Sequence, residues 1–134
     1  MLPITQIGGN LMTLIEVINK VDTVKPNGYS EQEKIGWLST LDGIVKAEII
    51  DTHEGAEKVS FKAYDATTPL STELLIPHPY DDIYVRWLES QIDYANGEYG
   101  KYNNSISLYN TAYTAYEKYY NRTHMPVAKN FTHF

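Results

Sequence analysis

The sequence predicts a mainly α-helical single domain of four helices. The last two form a long C-terminal helical hairpin, and a short β-hairpin is inserted between helices 2 and 3. Three observations predict it. Apolar residues recur at helical spacing in four separate stretches. Breaks containing proline or glycine divide those stretches. One interval between the second and third alternates apolar and polar side chains, as a half-exposed strand does. A chain of 134 residues fits one domain with one core, burying roughly two-thirds of the surface its unfolded form exposes.

The first helix is expected over residues 10–22, where Leu11, Leu14, Ile15, Ile18 and Val21 share a face. Lys25-Pro26-Asn27-Gly28 supplies the break and turn. Ser30, with Glu33 three residues on, reads as a capping box opening the second helix. Ile35, Leu38, Leu41, Val45 and Ile49 form its stripe, while Trp37 and Ile44 lie off it as a second apolar patch. Gly36 and Gly43 each weaken a helix by about 1 kcal/mol relative to alanine, yet the periodicity runs through both, so one continuous helix is expected. His53-Glu54-Gly55 ends it. Residues 58–64 alternate, with Val59 and Phe61 on one face, and Leu74, Leu75 and Ile76 are expected to return as the partner strand. Two strands alone are marginal and must pack on helices or another subunit.

Pro77-His78-Pro79 stops the strand, and Asp81 and Asp82 open the third helix, where carboxylates complement the positive end of the helix dipole. Ile83, Tyr84, Trp87, Leu88, Tyr94 and Ala95 are its expected apolar face, and Asn96-Gly97 its stop. The last helix is expected over residues 98–122, ended by His124-Met125-Pro126, with residues 127–134 as a flexible tail.

That last helix carries the broadest apolar surface. At 100° per residue, Tyr99, Tyr102, Ile106, Tyr109, Tyr113, Tyr116 and Tyr120 fall within an arc of about 100°. Leu108, Ala112, Ala115 and Tyr119 occupy an adjoining arc, leaving Asn103, Ser107, Asn110, Thr114, Lys118 and Asn121 for solvent. One antiparallel neighbour covers only part of this. Two readings stand: both arcs are intramolecular core, or part of the tyrosine stripe and the Trp37 patch form an oligomer interface. On the second reading the candidate interface residues are Trp37, Ile44, Tyr109, Tyr113, Tyr116 and Tyr120.

Composition narrows the chemistry. The absence of cysteine removes disulfides, thiol nucleophiles and Cys-based zinc sites. A net charge of −6 with dispersed acids argues against a nucleic-acid binder. Twelve tyrosines against three phenylalanines suit surfaces that are half buried or meet a partner. No stretch approaches the ~20 apolar residues of a membrane span, and no signal-peptide pattern opens the chain; an intracellular protein is expected. The glycosylation-type triplets at Asn103, Asn121 and Asn130 then read as chance.

No enzyme signature is present, and no catalytic, cofactor-binding or metal-binding residue is assigned. His53-Glu54-x-x-Glu57 lacks the second histidine of a metalloprotease motif, and Gly55 interrupts its helix, so a solvated loop histidine is expected. Reading residues around Asn96-Gly97 as a calcium loop puts Ile92 and Tyr94 at ligand positions. Gly8-Gly9 lacks the lysine and hydroxyl of a phosphate loop, and no serine sits in a nucleophile elbow. An enzyme would have to assemble distant groups such as His53, His78 and Asp81.

Four blocks within residues 29–126 form a recognisable pattern. They are Glu33-Lys34-Ile35-Gly36-Trp37-Leu38-Ser39-Thr40-Leu41-Asp42-Gly43; Thr72-Glu73-Leu74-Leu75-Ile76-Pro77 leading into Pro79-Tyr80-Asp81-Asp82-Ile83-Tyr84; Gln91-Ile92-Asp93-Tyr94-Ala95-Asn96-Gly97-Glu98-Tyr99; and Tyr120-Asn121-Arg122-Thr123-His124-Met125-Pro126. Together they resemble the head–tail connector (neck adaptor, head completion) proteins of tailed phages and prophages. The resemblance implies a non-enzymatic virion structural protein, assembled in the bacterial host cytoplasm and placed at the virion neck. Copies would form a homo-oligomeric ring, twelvefold in the virion, between the portal protein and the downstream neck or tail protein. The ring would continue the DNA channel, with no cofactor, no membrane and no sequence-specific nucleic-acid binding. A closed ring needs a heterologous interface, hence two different adhesive surfaces per subunit, which the two apolar arcs could supply; an acidic lumen would let DNA pass without adhering. The alternative is a small helical protein- or peptide-binding module, because the final hairpin resembles one tetratricopeptide-type repeat, though no second copy follows.

Overall fold

Thr13 joins two elements in one residue. It ends strand β1 (Leu11–Thr13) and caps helix α1 (Leu14–Val24). Its hydroxyl accepts from the Glu16 amide, while the Glu16 carboxylate accepts from the Thr13 amide, completing a capping box. The next amides are satisfied from elsewhere: Leu14 N–H donates to the Thr72 carbonyl at 3.0 Å and Ile15 N–H to Leu70 at 3.1 Å. In this computed structural model residues 11–128 are described. Asn10, Gly8-Gly9, Asn130 and the remainder of the expected tail lie outside them.

Helix α2 (Glu31–Val45) starts at Ser30, whose hydroxyl accepts from the Glu33 amide at 3.0 Å. It runs on without a break into a π-helical turn, Lys46–Ile50. The expected single helix is therefore present across both glycines, its last turn widened. A 3₁₀ turn (Ala56–Lys58) and an irregular segment lead to strand β2 (Glu73–Pro77). Helix α3 (Asp82–Ala95) and the long helix α4 (Tyr99–Thr123) form the expected C-terminal hairpin, with Gly97 at φ +75° in the turn between them.

The mainly α, four-helix class holds, and so does a short antiparallel sheet whose one strand, β2, lies between the second and third helices. Its pairing differs from the expected hairpin. β2 pairs with β1, with Leu11 opposite Pro77 and Thr13 opposite Glu73, and residues 58–64 form no strand. The reason is a change of parity. Val59 and Phe61 are half-buried as alternation requires, but Ala63 is exposed and Tyr64 turns inward instead. The Tyr64 amide donates to Ser39 Oγ at 2.9 Å, so the segment hangs on α2 side chains, not on a ladder.

The core is built from one face of each helix. α1 contributes Leu14, Val17, Ile18 and Val21; α2 contributes Ile35, Leu38, Leu41 and Val45, followed by Ile49; β2 adds Leu74 and Ile76. α3 adds Ile83, Tyr84, Leu88 and Ile92, and α4 closes the layer with Tyr109, Tyr116 and Tyr120. The expected face of α3 is corrected at its end: Tyr94 and Ala95 are exposed, and Ile92 and Asp93 face inward. Asp93 is held by Lys25, whose ammonium lies 2.8 Å away, which ties the end of α1 to the end of α3.

Candidate functional site

Among the six candidate interface residues, three are consumed by the chain's own core. Tyr109, Tyr116 and Tyr120 are 7 %, 3 % and 6 % exposed. Their rings meet other aromatics: Tyr109 lies 4.8 Å from Trp87 between centroids, and Tyr116 lies 5.7 Å from Tyr80 and 5.8 Å from Tyr120. Burial pushes the Tyr109 hydroxyl up to about 12, and raises those of Tyr116 and Tyr120 as well. Tyr113 is half-buried and donates to Glu48 at 2.7 Å, tying α4 to the π turn. Trp37 and Ile44 are also half-buried. Trp37 packs edge-on against Tyr29 at 5.6 Å, and its carbonyl accepts from the Trp87 indole N–H at 2.7 Å. The tyrosine stripe is thus mostly the inner face of α4.

What stays open on α4 is the adjoining arc. Leu108 is 48 % exposed and Ala115 is exposed, with Ala112 half-buried between them. They line one wall of a shallow groove of about 370 Å³, with Tyr80, Asp82 and Arg86 on the other. At the hairpin tip Tyr94 and Tyr99 are 57 % and 59 % exposed, their rings 5.6 Å apart.

The most concentrated polar chemistry is internal. Asp42, fully buried, accepts on Oδ1 from the Tyr84 hydroxyl at 2.7 Å. Its Oδ2 accepts from the Tyr64 hydroxyl at 2.6 Å and the Leu75 amide at 3.1 Å. Tyr84 in turn accepts from the Ile76 amide at 2.7 Å. One carboxylate therefore joins α2, the irregular segment, β2 and α3. Burial pushes its pKa up, against the downward pull of the three hydrogen bonds, and desolvation next to it raises both tyrosines above their usual range. Sequence reading missed Asp42, although a signal was there. Position 42 lies four residues after Leu38 and three before Val45, on the buried stripe itself.

His53 overturns the expected solvated loop histidine: it is 5 % exposed. Its Nδ1–H donates to the Ile49 carbonyl at 2.6 Å, and Nε2 meets the Asn121 side-chain amide at 2.8 Å. The segment after α4 completes a clasp. Glu54 N–H donates to the Met125 carbonyl at 2.8 Å and Val127 N–H to Thr52 at 2.9 Å. Val127, expected to begin a flexible tail, is therefore fastened to Thr52, just past the π turn. The Asn121 partner is what reading missed, since it lies 68 residues further on, near the end of α4. His78 lies exposed, 3.3 Å from Asp81, and the structure does not bring it to His53. Asp82 sits in the first turn of α3, as expected.

Among the described residues no group of three or more His, Cys, Asp or Glu is placed to hold a metal ion. Nor is any described helix long and apolar enough to cross a membrane. No protein-family model, curated protein or solved structure matches the chain.

Proposed function

We propose that this chain is a non-enzymatic structural adaptor of the tailed-phage head–tail connector kind, forming a ring between portal and tail. The observation that supports it most is where the four resembling blocks fall. The first carries Asp42 and the α2 stripe, and the second carries β2 and Tyr84, which meets Asp42 at 2.7 Å. The third is the α3–α4 turn with its left-handed Gly97, and the fourth carries Asn121 and the clasp onto His53. Blocks dispersed along the sequence thus coincide with the joints of the fold.

A ring needs two unlike surfaces. The open arc of α4 around Leu108 and Ala115 offers one, and the half-buried edge of α2 at Trp37 and Ile44 offers the other. The buried tyrosines supply rigidity beneath the first of these. In the virion the ring would sit at the neck, between the portal protein and the next neck or tail protein, around the DNA channel. Light scattering across a concentration series, with electron microscopy of the same fractions, tests this reading. Closed rings or one discrete large oligomer support it. A chain that stays monomeric throughout, and that also fails to join a portal ring, removes it.

A further inference from the structure

We propose that Asp42 and Tyr64 form a proton-operated latch, which holds residues 59–68 against the helices while the carboxyl is ionised and slackens when it takes up a proton. The inference goes beyond the adaptor reading and does not depend on it.

It rests on an asymmetry between the two carboxylate oxygens. Oδ1 faces Tyr84, which is fully buried and whose oxygen already accepts from the Ile76 amide at 2.7 Å. The single Tyr84 proton therefore has to point at Oδ1, and no second proton fits between those two oxygens. Oδ2 faces Tyr64, whose hydroxyl has no other side-chain or backbone partner among the described residues and which is 8 % exposed. A proton arriving at Asp42 is consequently accommodated on Oδ2. There it donates to the Tyr64 oxygen, and Tyr64 turns its own O–H outward. The Leu75 amide can still donate to Oδ2, which keeps a lone pair for it. Proton uptake thus reverses the direction of one contact, while the other two stay in place as neutral hydrogen bonds.

The contact that reverses is the one that fastens the irregular segment. A charge-assisted hydrogen bond is exchanged for a neutral one of roughly half the strength. The far end of the segment is fixed separately, through the Leu70 and Thr72 carbonyls to α1. The near end depends on Tyr64, with its amide on Ser39 and its ring 5.4 Å from Phe61. The titratable groups facing Asp42 are Tyr64 from the segment, Tyr84 from α3 and Tyr116 from α4. No Lys, Arg or His forms an ion pair with it among the described residues. With no cation to hold the charge in place, the carboxyl's protonation is set by burial against those donors, and burial raises its pKa. The latch lets acid alter the surface formed by residues 59–68 while the helical bundle stays intact.

The test is a pH titration of the isotopically labelled full chain by NMR, following the Asp42 carboxyl carbon and the backbone amides. The amides of residues 59–68 are expected to shift with the carboxyl's own midpoint, while those of Ser107 and Thr111, on the exposed side of α4, stay flat. Tyr64→Phe keeps the ring and removes the hydroxyl. It is expected to raise the Asp42 midpoint by about one pH unit, the equivalent of one lost charge-assisted hydrogen bond, and to abolish the coupled shift of the segment. Three results overturn the proposal: a segment indifferent to the Asp42 midpoint, a midpoint unchanged by Tyr64→Phe, or a carboxyl that keeps one charge state wherever the chain is folded.

Discussion

Tyr84 both donates to Asp42 and accepts from the Ile76 amide, so losing its hydroxyl strands two buried groups at once. Tyr84→Phe is expected to cost about 2–4 kcal/mol, seen as a lower urea midpoint with an unchanged slope. Asp42 sets a second expectation, whose sign follows from its raised pKa. The folded chain holds that proton more tightly than the unfolded chain, whose carboxyl titrates near 3.8. Its contribution to stability is full below that value and is lost as pH rises through the folded one. Wild type should therefore lose stability relative to Asp42→Asn as pH rises across that window, measured by denaturation at each pH. Lys25→Met should leave Asp93, 2 % exposed at its side chain, as a buried charge without a cation. The expected loss is about 3 kcal/mol, again read by urea denaturation. None of these contacts was legible in the sequence. Asp42 sits on the apolar stripe of α2, but an aspartate there announces only that something must donate to it. The donors, Tyr64 and Tyr84, lie on other elements.

Helices were the legible elements, because an amphipathic face repeats within a few residues of itself. α3 and α4 lie within a residue or two of their expected limits, α2 does so once its π turn is counted, and Asn96-Gly97 ends α3 because both residues suit a helix stop. The strands were less legible, since a pairing partner leaves no local mark. Leu11 continues the spacing of Leu14, Ile15 and Ile18, so β1 read as the first turn of α1, although Thr13 and Glu16 spell its capping box. Two glycines separate backbone geometry from packing. A side chain at Gly97 meets nothing within 4 Å, but its φ of +75° makes Gly97→Ala costly, by about 1 kcal/mol. Gly36 also has open space around it and lies inside α2, so Gly36→Ala should stabilise by about 1 kcal/mol. Thermal unfolding should move in opposite directions for the two.

For the whole molecule, the question left open by the sequence was whether the aromatic face of α4 is core or interface. The structure divides it: Tyr109, Tyr116 and Tyr120 are inside, while Leu108 and Ala115 remain outside. No periodicity could make that division, because it depends on how far α3 and the π turn after α2 reach around α4. The two classes predict different failures. Tyr116→Ala should destabilise the fold by about 3–5 kcal/mol, visible as a lower melting temperature by circular dichroism. Leu108→Arg should leave melting nearly unchanged and, on the adaptor reading, reduce the oligomer seen by light scattering. An assembly defect from a buried tyrosine alone would say nothing about the interface.

The pairing of Leu11 with Pro77 also bears on how the chain comes to be folded during its synthesis. A nascent polypeptide leaves the ribosome amino end first, at ~5–20 residues per second. β1 and α1 therefore emerge seconds before the strand, and the carbonyls of Leu70 and Thr72, that complete them. For that interval the apolar side of α1 has only α2 to lie against. The C-terminal hairpin has no such wait, since its two helices are neighbours in sequence. Ribosome-bound chains stopped before residue 73 should expose α1 to proteolysis, and chains extended past the end of α3 should protect it.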